Sequence, residues 1–180
     1  PLTTLNFDNP EVSFIFNLLR DANVDTQTEG WHFNTEYHVK FTPDSVTKKI
    51  TISDDIVAMD LHDNQAKRTM DLVRDENGFL YDKINHTNEF DSALDLDVLY
   101  LRPFESLPIV FRRYITYRAS RVAATQLVAN PQLVKLLGTQ EQFARAALME
   151  HECNQADHNM LGFPEGSSYQ TYQPWRNLRR

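Results

Sequence analysis

A chain of 180 residues can build one ordinary hydrophobic core, or one core carrying a sizeable insertion. Apolar residues at 41% and aromatics at 11% exclude a wholly disordered chain, because burial on that scale offsets the entropy of ordering. Eighteen basic residues against twenty-five acidic ones leave a net charge of −7. That balance opposes general phosphate binding and suits a surface past which nucleic acid slides without sticking.

Asp8-Asn9-Pro10-Glu11 opens the first helix. Asp8 or Asn9 caps it, Pro10 fits the first turn, and Glu11 complements the dipole. Phe14, Ile15, Leu18 and Leu19 follow as one apolar stripe, which fades after Arg20 before Gly30 breaks the chain. A short amphipathic helix is expected.

From Trp31 to Leu101 the period becomes two. Trp31 and Phe33, then Tyr37, Val39 and Phe41, alternate with polar residues as half-buried strands do. Further strands are expected at Lys49 to Ser53, Ile56 to Leu61, Met70 to Val73, Phe79 to Tyr81 and Leu94 to Leu101. Turns separate them at Thr42-Pro43-Asp44, His62-Asp63-Asn64 and Glu76-Asn77-Gly78, and Asn77-Gly78 is the sharpest hairpin signal. Short strands with tight turns predict an antiparallel sheet or small sandwich rather than a parallel sheet.

Beyond Pro103 helices return. Ser106 caps and Pro108 starts a helix to about Ala129, with Leu107, Phe111, Ile115, Ala119 and Val122 on its buried stripe. Asn130-Pro131 opens the next helix, whose stripe runs through Val134, Leu137, Ala144, Leu148 and His151 to end near Asn159. Its length is roughly 40 Å at 1.5 Å per residue, with Gly138 marking a bend. So short a connection implies an antiparallel hairpin. In the last stretch Phe163, Tyr169, Tyr172 and Trp175 sit without periodicity among Gly, Ser, Gln and Pro, followed by Arg176, Arg179 and Arg180. It reads either as an arm that orders on a partner or as a tail over its own core.

The expected fold is therefore α+β. Residues 1–30 and 103–161 form a helical bundle, 31–102 an inserted antiparallel β domain, and 162–180 a C-terminal arm. No apolar run approaches the ~20 residues of a membrane span, and no signal-peptide pattern is present. The lone Cys153 excludes an internal disulfide framework and fits assembly in a reducing cytoplasm. The chain starts at Pro1, not Met, so an upstream segment is expected.

Chemistry is sparse. His151-Glu152 opens like a zinc-protease helix, but position 155 is Gln155 where the second histidine belongs, so a satisfied helical histidine is expected and no metal. Asp54, Asp55, Asp60 and Asp63 match no calcium loop, and Asp91, Asp95 and Asp97 read as a solvated face. There is no glycine-rich phosphate loop and no nucleophile elbow, and no cofactor is expected. Twenty-five acids leave one enzymatic alternative, a saccharide hydrolase using paired carboxylates on cell wall or capsule. Arg112, Arg113, Arg118 and Arg121 make one helix basic. Interleaved Tyr114 and Tyr117 favour a subunit interface over DNA contact, giving Arg112, Arg113, Tyr114, Tyr117 and Arg121 as interface candidates.

Gly30-Trp31-His32-Phe33-Asn34, Phe90-Asp91-Ser92, Phe111-Arg112, Ala119-Ser120-Arg121 and Asn159-Met160-Leu161 occur in an order and spacing that resemble the tail tubular protein A family. These are the head-to-tail adaptors, or gatekeepers, of short-tailed bacteriophages, and the resemblance runs from Pro10 to Leu161. It implies a non-enzymatic virion protein, assembled in the host cytoplasm into a dodecameric ring between portal and tail nozzle (tail tubular protein B), with the tail fibre as a further neighbour. The bundle would form the ring wall, the β domain would meet neighbouring tail proteins, and DNA would pass through without specific binding. The arm would reach the portal through Phe163, Tyr169, Tyr172, Trp175, Arg176 and Arg179. Members of that family carry another helix before the one at Pro10, consistent with the expected upstream segment.

Overall fold

The computed structural model describes residues 9–62 and 69–155. It is mixed α+β and divides into two compact units. Among the described residues, one unit comprises 9–34 and 101–152, the other 35–62, 69–100 and 153–155.

In the helical unit, α1 spans Pro10–Gln27, with the Asn9 side chain accepting from the Glu11 N–H at 2.9 Å. It continues past Arg20, where the apolar stripe fades, and ends before Gly30, its last turn being buried through polar groups. Thr26 bonds back to the Ala22 carbonyl at 2.7 Å. The Gln27 amide donates to the Arg102 carbonyl at 2.9 Å and accepts from the Arg102 N–H at 2.8 Å. Trp31 and Phe33 are not on a strand. Their rings meet the Phe111 ring edge-on, with centroids 5.2 and 4.5 Å away, so aromatic packing produced what looked like alternation.

A short 3₁₀ turn, Phe104–Ser106, leads into α2, Ile109–Ala123. Ser106 does not cap α2; its hydroxyl donates to the Pro103 carbonyl at 2.7 Å within that turn, and Pro108 is the N-cap residue. The helix widens into a π turn over Ala124–Val128, and Ala129 follows at φ 50°, in the left-handed region. Asn130 then caps α3, Pro131–Gln155, accepting from the Gln132 and Leu133 N–H groups at 3.0 and 3.3 Å. Arg121 pairs with Glu141, and the Phe111 and His151 rings meet at 6.2 Å, so α2 and α3 run antiparallel. The unit's core is Ala22, Trp31, Leu107, Phe111, Tyr114, Ile115, Ala119, Ala144 and Leu148.

In the β unit, β1 (Thr35–Phe41), β2 (Ile56–Leu61) and β5 (Leu94–Tyr100) form an antiparallel sheet in the order β1-β5-β2. The hairpin of β3 (Leu72–Arg74) and β4 (Leu80–Asp82) is separate. Gly78 sits in its turn at φ 79°, which explains the Asn77-Gly78 signal. The expected strand at Lys49–Ser53 is reduced to one bridge, Thr51 to Phe79, although Ile50 and Ile52 are buried in the core with Leu80, Leu96 and Val98.

Asp82 is the buried carboxylate of this unit. Burial alone would raise its pKa, but hydrogen bonds from the Asn85 side chain and the Ile84, Asp71 and Asn85 backbones hold it below the ordinary value. The Asn85 amide lies at 2.6 Å and the Ile84 N–H at 2.9 Å. No helix among the described residues is long and apolar enough to cross a membrane.

Candidate assembly interface

The basic helix of the sequence is α2, and its arginines have separate fates. Tyr114 falls three residues after Phe111, which returns it to the core face, where it is 7% exposed. It packs inside its own subunit and offers no surface to a neighbour. Arg121 is engaged with Glu141, whose hydrogen bond raises its pKa. Arg118 is held by Asp25 at 2.8 Å. Tyr117 is half-buried against the core, as is Arg112, whose buried Nε has no hydrogen-bond partner. Arg113 alone of the five interface candidates is fully outward, with no carboxylate paired to it among the described residues.

Polar clamps join the apolar contacts in holding α3. The Arg145 guanidinium lies over Trp31 at 5.0 Å and Tyr114 at 5.3 Å and bonds Glu29 at 2.6 Å. Burial would depress its pKa, and the Glu29 pair more than offsets that, leaving it raised. Glu152 accepts from the His32 N–H at 2.6 Å. Only Ala144 and Leu148 of this 25-residue helix are buried. Between α2 and α3, beside Gly138, a cleft of ≈ 320 Å³ is lined by Tyr114, Arg121, Glu141, Gln142 and Arg145. The charges of Arg121 and Arg145 are paired with Glu141 and Glu29, while one buried nitrogen of Arg145, Nη1, has no hydrogen-bond partner among the described residues.

Apolar side chains gather where the clamps end. No residue of α1 before Ala22, and none of α3 before Ala144, is buried. Those halves carry Phe14, Ile15, Phe16, Leu18 and Leu19, and Leu133, Val134, Leu136 and Leu137. Leu136 is 58% and Phe143 68% exposed. Among the described residues Ile15 and Phe16 are exposed as well, whereas Phe14, Leu18, Leu19, Leu133, Val134 and Leu137 are half-buried.

The family comparison matches this picture. The sequence model of the tail tubular proteins matches residues 1–158, which include every described residue of both units. The chain belongs to the tail tubular protein family. As a member of the family it is a structural component of the bacteriophage tail that assembles with other tail components. No curated protein matches it.

Elsewhere in this tail tubular family member the β unit holds groups that sequence patterning missed. Asp97, expected on a wet face, is largely buried; it accepts from the His38 N–H at 3.3 Å and lies 2.7 Å from His62 Nδ1. The His38 and His62 rings stack at 3.3 Å, and His38 at φ 58° sits in a bulge of β1 between Glu36 and Val39. Asp54 pairs with Arg74 and Asp91 with Lys48, so both serve as surface ion-pair partners. His151 is not fully satisfied, because its buried Nδ1 lacks a partner. The arm candidates Phe163, Tyr169, Tyr172, Trp175, Arg176 and Arg179 lie outside the described residues, as does Asp63.

Proposed function

We propose that the protein is the head-to-tail adaptor of a short-tailed phage: a non-enzymatic, dodecameric ring that joins the portal to the tail nozzle and forms part of the ejection channel. The observation that carries this is the set of large apolar side chains left exposed among the described residues of α1 and α3, Ile15, Leu136 and Phe143. The helical unit supplies the ring wall, the β unit meets neighbouring tail proteins, and 162–180 engages the portal. Arg113, Arg112 and Tyr117 belong to the contact between copies. A net charge of −7 per copy keeps DNA from adhering to the lumen, since like charges within about 10 Å repel before salt screens them.

The test is to mix the purified chain with portal complex and weigh the product by native mass spectrometry. A dodecameric ring on the portal is the expected outcome. A chain that stays monomeric beside the portal across salt and concentration refutes the reading.

A further inference from the structure

Two outward faces of the helical unit differ in a complementary way. On α2, Arg113 is followed at spacings of three and four by Thr116 and Ser120, small side chains that leave a shallow row. On α3, Phe143, Ala147 and Glu150 follow one another at spacings of four and three, and all three are exposed. One face therefore presents a cation beside a groove, the other an anion beside a large aromatic. Among the described residues neither Arg113 nor Glu150 has an opposite charge paired to it. Each row lies on the side of its helix away from the core formed by Phe111, Ile115, Ala144 and Leu148, so the faces look outward in different directions.

Their levels along the hairpin also agree. Phe111 meets His151, and Arg121 meets Glu141, which fixes how residues of α2 and α3 pass one another. Counting from Phe111 and His151, Arg113 comes level with Met149, Thr116 with Ala146, and Ser120 with Gln142. Each therefore lies within one residue, about 1.5 Å, of Glu150, Ala147 and Phe143 respectively. Rotation about a ring axis keeps every atom at its own height. In a ring whose hairpins run along the axis, a residue can meet only what shares its level on the next copy.

We propose that copies of this chain pack side by side through these two faces: Arg113 of one copy bonds Glu150 of the next, whose Phe143 seats over Thr116 and Ser120. The contact is heterologous, as a closed ring requires, and needs no slide along the axis. It rests on the ring reading above and adds to it the partner face and the register.

Charge exchange tests it on the full chain with portal complex, read by native mass spectrometry, with circular dichroism to confirm folding. Arg113→Glu and Glu150→Arg each place like charges together and should raise the concentration needed for assembly on the order of tenfold or more. The double variant should assemble like the parent, and so should an equimolar mixture of the two single variants, in which strict alternation around a ring of twelve gives every junction an opposite pair. If the parent forms rings and folded single variants form them equally well, these faces are not the contact and the ring reading stands. Failure of the double variant and of the mixture to recover, with both folded, also overturns the pairing. A parent that never assembles sinks the ring itself.

Discussion

Two identical substitutions on one helix should have very different costs. Leu148 is fully buried, and it and Ala144 are the buried residues of α3. Leu148→Ala removes most of that side chain and leaves a cavity against Phe111 and Ile115, which costs about 2–5 kcal/mol for a core leucine. At 1.4 kcal/mol per decade, a loss of about 3 kcal/mol shifts the folded-to-unfolded ratio roughly 100-fold. Leu136→Ala, on the same helix at 58% exposure, should change stability by no more than about 0.5 kcal/mol. Urea unfolding followed by circular dichroism, at concentrations where the chain is unassembled, separates them. The expected signature is a displaced midpoint for Leu148→Ala with an unchanged slope. Equal effects at the two positions, or a loss below about 1 kcal/mol at Leu148, would mean that the Arg145 and Glu152 clamps hold α3 unaided.

Gln27→Ala removes the side chain that bonds both the N–H and the carbonyl of Arg102 in a part-buried setting, at about 0.5–1.5 kcal/mol for each bond. The melting temperature should fall, and hydrogen exchange at the Arg102 amide should accelerate; unchanged exchange would refute that bridge. Asp82 has a folded pKa below its ordinary 3.8, so its contribution is complete above that value and is lost as pH falls through the folded one. Stability of the parent should therefore decline from about pH 4 downward more steeply than that of Asp82→Asn, and equal slopes in acid unfolding would exclude the role.

Residues whose burial comes from apolar side chains at regular spacing were legible. Phe111, Ile115 and Ala119 on α2 and Ala144 and Leu148 on α3 are where periodicity puts them. So were features set by local chemistry, namely the Asn130-Pro131 helix start and the Gly78 turn. What escaped depends on partners far along the chain. The last turns of α1 are buried through Thr26 and Gln27, whose hydrogen bonds carry no hydropathic signature. Trp31 and Phe33 alternate with polar residues but are placed by Phe111, almost eighty positions on. The bulge at His38 shifts register by a residue, and only the partner strand reveals it. Among the interface candidates, residue type could not separate Tyr114, which faces inward, from Arg113, which faces out.

The Gln27 bridge has a consequence for how such a protein can vary. Its amide clasps the chain at Arg102, close to where residues 35–100 are bracketed, while Asn34 Nδ2 donates to the Gln27 carbonyl at 3.0 Å. Departure and return are thus fastened together inside the helical unit, like the neck of a drawn purse. Closing the chain between Asn34 and Arg102 costs the helical unit loop-closure entropy that grows slowly with length. Changes in the length of that segment are therefore cheap for the helices, which leaves it free to diverge among family members.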